Sequence, residues 1–275
     1  MKKVMFAAAV AADLVAFGDG IESANTVGYN SKSLEAGKFA IAAVQFEGMD
    51  GSFDINKLVS GLTGASYASD GDDFVKYAPQ IQVPNGVGYD YYYYLTDGYY
   101  DGGKEKAGWC DANGTIAGDS ESIVSGALIP GVAIWAKDVR ASETMQQAGQ
   151  VPTEDVTIQA PMIFALRANS YPIAFNLNDA NAVTFSGLTP ASYSQYGDKF
   201  VQYAPQIQVP NGVGYDYYYY LTDGYYDGGK EKAGWCDANG TIAGDAESIV
   251  TGVVPAGVGF WTKGVGSAFS ITFKK

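Results

Sequence analysis

Two matching clusters of tyrosine and aspartate are the residues of this sequence best suited to binding chemistry. The first consists of Asp90, Tyr92, Tyr94 and Asp97, and the second of Asp216, Tyr218, Tyr220 and Asp223. The face of an aromatic ring packs against the apolar face of a sugar ring, while a nearby carboxylate accepts hydrogen bonds from sugar hydroxyls. These residues are the candidate ligand-binding residues, and the expected partner is a glycan or another surface polymer.

Acidic, glycine-rich loops raise the alternative of calcium binding. Asp111 and Asn113 place oxygen ligands close together, and Asp237 and Asn239 repeat them. Calcium prefers such ligands, but the spacing is not that of an EF-hand loop, and Asn-Gly is also a common turn dipeptide. The four residues are calcium candidates beside the turn interpretation, and we expect no cofactor.

The composition excludes several kinds of catalysis. Because the chain has no His and only 2 Cys, it cannot form a Ser-His-Asp triad, a Cys-His pair or the usual zinc sites. Cys110 and Cys236 are equivalent in sequence; two buried thiols are favoured over a disulfide, because equivalent atoms of two domains meet only near a twofold axis. No carboxylate pair stands out for glycoside hydrolysis, so we expect no enzymatic activity.

The charge of the chain excludes other partners. The net charge is −13, with 17 Lys and Arg against 30 Asp and Glu. A polyanion such as DNA or RNA is bound by a basic surface, and an anionic membrane leaflet attracts basic segments. We therefore expect neither nucleic acid nor an anionic membrane surface as a partner.

An internal repeat predicts the domain organisation. Residues 74–119 and 200–245 align without a gap at an offset of 126 and differ only at Lys76 and Gln202. A repeat of this length is far longer than a solenoid unit and matches a whole domain. We predict a first β domain over residues 19–150 and a second over residues 151–275.

Alternating residues and turn dipeptides predict an all-β fold, with two tandem β-sandwich or small β-barrel domains related by duplication. The tyrosine-rich stretch, residues 87–96, is predicted to be a strand. Since Asp90 and Thr96 share one face of this strand, we predict that this face meets water and the opposite face meets the core. Tyr92 and Tyr94 should then be partly exposed, as should Tyr218 and Tyr220.

The N-terminus resembles a secretory signal peptide. Two lysines precede a short apolar stretch, Val4 to Ala12, which Asp13 ends too early for a membrane span. We predict a signal peptide over residues 1–18, a secreted or cell-surface location, and no membrane span in the mature protein.

The predicted mature chain contains the run IESANTVGY near its start, from Ile21 to Tyr29. Its first unit has an apolar strand near Phe39, a Tyr-rich strand over residues 87–96, a Gly-Trp segment at Gly108-Trp109 and a later Trp at Trp135. In these features the chain resembles a group of secreted bacterial tandem β-repeat proteins. The resemblance implies an exported β-rich protein and supplies no catalytic residue.

These observations predict a secreted, non-catalytic binding module with two equivalent sites on the Tyr-rich strands, because doubling a site raises avidity. The alternative is a structural protein of the cell envelope that assembles through aromatic β-edges. The sequence leaves the oligomeric state open.

Overall fold

Antiparallel sheets dominate the protein, as the sequence predicts. The structure, a computed structural model, describes residues 26–97, 100–101, 104–105, 107–117, 125–223, 233–244 and 250–275. The predicted signal peptide lies outside these residues. Within them the sheets are open and none closes into a barrel, so the all-β, sandwich-like fold is confirmed and the small-barrel alternative does not apply.

Each repeat contributes a series of short strands. The first contributes β1 (Val27–Leu34), β2 (Phe39–Ala43), β3 (Val59–Ser60), β4 (Gln80–Pro84), β5 (Tyr89–Leu95), β6 (Tyr100–Asp101), β7 (Lys104–Glu105), β8 (Gly108–Cys110), β9 (Ala133–Lys137) and β10 (Glu143–Gln150). The second contributes β11 (Val156–Ala160), β12 (Ala165–Ala168), β13 (Phe175–Asn176), β14 (Val183–Ser186), β15 (Gln206–Pro210), β16 (Tyr215–Leu221), β17 (Gly234–Cys236), β18 (Val253–Val254), β19 (Gly259–Lys263) and β20 (Phe269–Phe273).

The helices are single turns beside the sheets. They are α1 (Ile55–Leu58), α2 (Tyr67–Asp70) and α3 (Tyr193–Tyr196), with 3₁₀ helices at Gly71–Lys76 and Gly197–Gln202. Among the described helices, none has the length and apolar character needed to cross a membrane.

Each repeat pairs a five-stranded sheet with a three-stranded sheet. The strand orders are β2-β9-β4-β5-β8 and β1-β10-β3 in the first repeat, and β12-β19-β15-β16-β17 and β11-β20-β14 in the second. Side chains from both sheets of a repeat form its main hydrophobic cluster, which includes Leu34, Ile81 and Met145 in the first repeat. Apolar residues on alternate strand positions meet between the two sheets, as in a sandwich.

The β4–β5 hairpin turns at Asn85-Gly86, a dipeptide typical of hairpin turns. The Asn85 side-chain oxygen accepts hydrogen bonds from the backbone N–H groups of Val87 and Gly88, at 3.2 and 2.8 Å. Gly86 has a φ of 91°, which glycine adopts without steric cost. The second repeat forms the same turn around Asn211, and both turns leave a valine exposed.

The predicted orientation of the tyrosine-rich strand is wrong for Tyr92 and Tyr218, which are only 4% exposed. The Tyr92 hydroxyl accepts a hydrogen bond from the Gly126 backbone N–H at 3.1 Å, so its polar end is satisfied inside. Exposed Asp90 does not mark the solvent-facing side, because it lies beside the hairpin turn, where its carboxylate accepts a hydrogen bond from Asn85.

Tyr94 and Tyr220 are half-buried on the same inner face. Their rings lie 5.3 and 5.4 Å from the rings of Trp109 and Trp235, which belong to the two main cores. The tyrosine of the strand that does reach solvent is Tyr91, 45% exposed, on the face predicted to be the core. The far end of that face is nevertheless buried, since Leu95 is 0% exposed. The alternation was therefore correct, and the face predicted to be the core is open to solvent at Tyr91 and covered at Leu95.

The two repeats pack against each other through equivalent strands. Strand β9 contacts β12, and its equivalent β19 contacts β2. A small cluster fills this junction, with Ala43 and Ala133 from one repeat and Leu166 and Ala168 from the other. Because each patch meets its own counterpart, the junction has the reciprocal form of a twofold dimer interface.

Polar contacts also cross the junction. Gln45 is buried, and its amide nitrogen donates to the Tyr171 carbonyl oxygen at 2.7 Å. The Ala168 N–H donates to the Gly131 carbonyl oxygen at 2.8 Å. Buried polar groups that are satisfied only across a junction favour one fixed docking geometry.

Cys110 and Cys236 are free thiols buried in their own repeats. Burial raises the pKa of each thiol to about 12, so both stay protonated at neutral pH. Each sulfur lies 3.3 Å from the carbonyl oxygen of a tyrosine on the neighbouring strand. They act as small core residues, as the sequence favours.

Candidate functional site

Two grooves lie where the repeats meet, and each is built from both repeats. The first groove, about 400 Å³ in volume, is formed by the β4–β5 turn of the first repeat and the β12 and β19 region of the second. The second groove, about 520 Å³, is formed by the β15–β16 turn of the second repeat and the β2 and β9 strands of the first. The reciprocal packing of the repeats therefore generates two related concave surfaces.

The walls of the two grooves contain matching residues. Those of the first include Pro84, Gly86, Gly88, Tyr89, Val132, Phe164, Leu166 and Trp261; those of the second include Pro210, Gly212, Gly214, Tyr215, Val258, Phe39, Ile41 and Trp135. Each groove thus has one Phe, one Trp and one Tyr. Such an apolar concavity with a few polar groups is the usual form of a small-ligand site.

The phenylalanines offer the most accessible aromatic surface. Phe39 is 43% exposed and Phe164 is 45% exposed, while the Trp and Tyr side chains beside them are half-buried. The Phe39 ring meets the Trp135 ring edge-on at a centroid distance of 6.3 Å. The Trp135 ring also lies 6.2 Å from the Trp261 ring, so the aromatic walls of the two grooves lie next to each other.

A lysine lies over each exposed phenylalanine. The Lys137 ammonium is 5.2 Å from the centre of the Phe39 ring, and the Lys263 ammonium is 5.2 Å from that of Phe164. Attraction between the ammonium and the negative face of the ring holds both groups in place. A positive charge therefore lies beside the aromatic wall of each groove.

Arg167 adds a second cation to the first groove. Its Nε donates to the Gln159 carbonyl oxygen at 2.6 Å, and its Nη1 donates to the Leu166 carbonyl oxygen at 2.8 Å. Burial lowers the pKa of Arg167, but a guanidinium remains charged in proteins. In the second groove Lys32 supplies the corresponding charge.

Asp97 and Asp223, predicted to bind ligand, instead stabilise the ends of helices. Asp97 accepts hydrogen bonds from the Ser66 hydroxyl and from the backbone N–H groups of Tyr67 and Ala68, and Asp223 repeats the arrangement. Partial burial alone would raise the pKa of both carboxyls, but the hydrogen bonds have the larger effect. The net result is a lowered pKa for Asp97 and a pKa of about 2 for Asp223. Their oxygens are occupied by structural donors.

Four other predicted residues meet in a third concavity of about 490 Å³ in the first repeat. It is lined by Asp90, Tyr92, Asp111 and Asn113, with Tyr89, Tyr91, Ala112 and Ser125. The structure thus brings these candidates together, although Tyr92 contributes little accessible surface.

The calcium candidates form tight turns. Asp111 accepts hydrogen bonds from the N–H groups of Asn113 and Thr115 at 2.8 and 2.9 Å, and Asp237 repeats both bonds with Asn239 and Thr241. The second-repeat Asp216 likewise accepts a hydrogen bond from Asn211. Within the described ranges, no group of three or more His, Cys, Asp or Glu side chains is placed to hold a metal.

Sequence reasoning missed the two grooves because their walls come from segments far apart in the chain. Phe39 and Phe164 are signalled in the sequence only as repeated members of apolar strands, and alignment of the repeats does not say how the repeats dock. The hairpin valines are the clearest missed signal: Val87 is 98% and Val213 is 99% exposed, each in an identical Pro-Asn-Gly-Val-Gly turn.

Comparison with protein-family models, curated proteins and solved structures finds no match. The resemblance to secreted tandem β-repeat proteins therefore stays a prediction, and the chemistry of the grooves is the basis for assigning a role.

Proposed function

We propose that this protein is a secreted, non-catalytic binding protein that holds carbohydrate chains in its two inter-repeat grooves. The observation that carries the proposal is the duplication of one aromatic arrangement, Phe, Trp and Tyr, in two grooves of similar size. The sequence hypothesis placed binding on the Tyr-rich strands; here those strands contribute Tyr89 and Tyr215, the first residues of β5 and β16.

The shape and chemistry of the grooves suit a sugar polymer. The exposed faces of Phe39 and Phe164 can stack on the apolar faces of sugar rings, while fixed hydrogen-bond donors such as Arg167 orient the hydroxyl groups. Two such grooves on one chain can engage two segments of a single polymer, so weak individual sites give strong retention on a surface. A cell-surface location fits this mode of binding.

Alanine substitution of the accessible groove rings tests the proposal. The double variant Phe39→Ala, Phe164→Ala should lose at least about tenfold in affinity for its best ligand on a broad glycan array, since each aromatic contact contributes about 1 kcal/mol. Measurement of the free energy of unfolding shows whether the fold survives.

The matched control is Tyr77→Ala with Tyr203→Ala, which removes a duplicated pair of exposed aromatics that line neither groove. Its affinity should equal that of the wild type. A wild-type protein that binds no glycan, or an equal loss in both double variants, would show that the grooves are not carbohydrate sites.

A second candidate, assembly through β-edges in the cell envelope, is favoured by strand β1. Among the described strands β1 pairs only with β10, and its outward residues Val27 and Tyr29 are 61% and 60% exposed. An unpaired edge with apolar side chains can add a strand from another chain. Light scattering over a hundredfold concentration range tests this. The particle mass of the wild type should rise with concentration, and Tyr29→Lys should abolish that rise. A wild type that stays monomeric over the whole range would rule the assembly out.

A further inference from the structure

The charge around the grooves differs from that of the whole chain. The protein has 30 acidic residues and a net charge of −13, yet no Asp or Glu lines either groove. Each groove wall contains one basic side chain instead, Arg167 in the first and Lys32 in the second. An acidic protein therefore has two locally basic, aromatic concavities.

The duplication does not explain this charge, because the two cations are not equivalent. In the strand register Lys32 lies opposite Met145, and Ile158 lies opposite Ile271, the residue equivalent to Met145. The second-repeat residue equivalent to Lys32 is therefore Ile158. Likewise Arg167 lies opposite Phe260, and the first-repeat residue at the equivalent position is Ala42. Each groove thus reaches the same charge with a residue from a different strand.

These cations are also available to a ligand. Among the described residues neither Arg167 nor Lys32 forms an ion pair with an acid, and the same holds for the two lysines over the groove phenylalanines, Lys137 and Lys263. Most of the other described cations do form ion pairs with acids: Lys38, Lys57, Lys76, Arg140 and Lys274. Two of the five N–H donors of Arg167 are held by carbonyl groups, which fixes the guanidinium while leaving donors for a carboxylate.

We infer that the ligand of both grooves is an acidic oligosaccharide whose sugar rings stack on the aromatic wall and whose carboxylates pair with the groove cations. This inference rests on the proposed carbohydrate binding and specifies its substrate class. A uronic acid residue has both required features, an apolar ring face and a carboxylate on the same ring. A neutral glycan would leave the groove cations without partners.

Matched acidic and neutral ligands test the inference. Calorimetric titration of the full chain compares oligomers of galacturonate and of alginate with the same oligomers after reduction of their carboxyl groups. The wild type should bind at least one acidic oligomer ten or more times more tightly than its reduced form. In the double variant Arg167→Gln, Lys32→Gln this preference should fall to twofold or less.

The control is Lys38→Gln with Lys199→Gln, two exposed cations outside the grooves that give the same change in net charge. The control should keep the wild-type preference. Equal wild-type affinity for acidic and reduced oligomers, or an equal loss in the control, would overturn the acidic specificity while leaving carbohydrate binding intact. Absence of binding to both forms, together with a blank glycan array, would overturn both proposals.

Discussion

The two grooves share their aromatic walls but differ in the residue that carries the positive charge. In the first groove the cation is Arg167 of β12, whose counterpart in the first repeat is the buried Ala42. In the second groove it is Lys32 of β1, whose counterpart in the second repeat is the apolar Ile158. The shared walls follow from the reciprocal docking of two similar repeats. The different cations show that local charge can vary between repeats while the docking geometry stays the same.

The largest expected effect comes from the junction itself, at a position where the two repeats differ. Ala133 of the first repeat corresponds to Gly259 of the second. A Cβ added to Gly259 would lie 2.4 Å from Ile41 Cγ2 and 2.6 Å from Ala133 Cβ. Gly259→Ala should therefore lower the free energy of unfolding by about 2 kcal/mol through overpacking, as measured by urea denaturation.

Gly214→Ala is the matched control for this junction variant. Gly214 also lines the second groove, but an added Cβ would meet nothing nearer than 4.0 Å. Its stability should stay within about 0.5 kcal/mol of the wild type. If both variants are equally stable, the two repeats do not pack as closely as described.

The next effect sharpens the comparison between the inner and outer faces of the tyrosine strand. Tyr92→Phe removes the buried hydroxyl that accepts the Gly126 N–H, which should cost about 1 to 2 kcal/mol, the usual effect of leaving a buried donor unpaired. Tyr91→Phe, on the exposed face, should change little. Thermal denaturation of both variants measures the difference. Equal melting temperatures would contradict the placement of Tyr92 on the inner face and Tyr91 on the outer face.

The smallest expected effect is a pH dependence that arises at Asp138 in the first repeat. Burial raises the pKa of Asp138 and the neighbouring carboxylate of Glu143 adds to the effect, whereas the position equivalent to Asp138 is Gly264. A raised native pKa means that this carboxyl favours folding while protonated, at pH values below its unfolded pKa, and that the contribution is lost as the pH rises through the native value.

Asp138→Asn should therefore be more stable than the wild type at pH 7, by about 1 kcal/mol, and the gain should vanish near pH 3. An amide keeps the oxygen that accepts the backbone N–H groups of Arg140 and Ala141, so the local turn is preserved. Denaturation curves at several pH values measure the trend. A variant that is less stable at pH 7 would show that the ionised carboxylate is favourable in the fold.

Much of the fold follows from the sequence because its determinants are local. The alternation around Tyr89 to Leu95 predicts a strand that the structure contains, and the Asn85-Gly86 dipeptide, typical of hairpin turns, forms the turn before it. Asp90 misled the choice of faces, because near a hairpin turn either side of a strand reaches water. Alternation separates two sets of side chains, but only tertiary packing decides which set is covered.

The candidate site was less predictable because it depends on docking between repeats. No local pattern brings the turn at Val87 close to Phe164, which lies in the other repeat. The predicted aspartates were chosen for their chemistry, and several proved to satisfy backbone N–H groups in turns and helix caps, the common role of Asp at such positions. A duplicated aromatic in a sequence therefore indicates a site only when the contacts between the repeats are known.

The number of ligands bound per chain tests the central claim most directly. Calorimetric titration with a trisaccharide fragment of the best array ligand should give two binding events per wild-type chain, one in each groove. Phe164→Ala should leave the event in the second groove, and Phe39→Ala the event in the first. A single binding event that neither substitution alters would contradict the account of two related grooves.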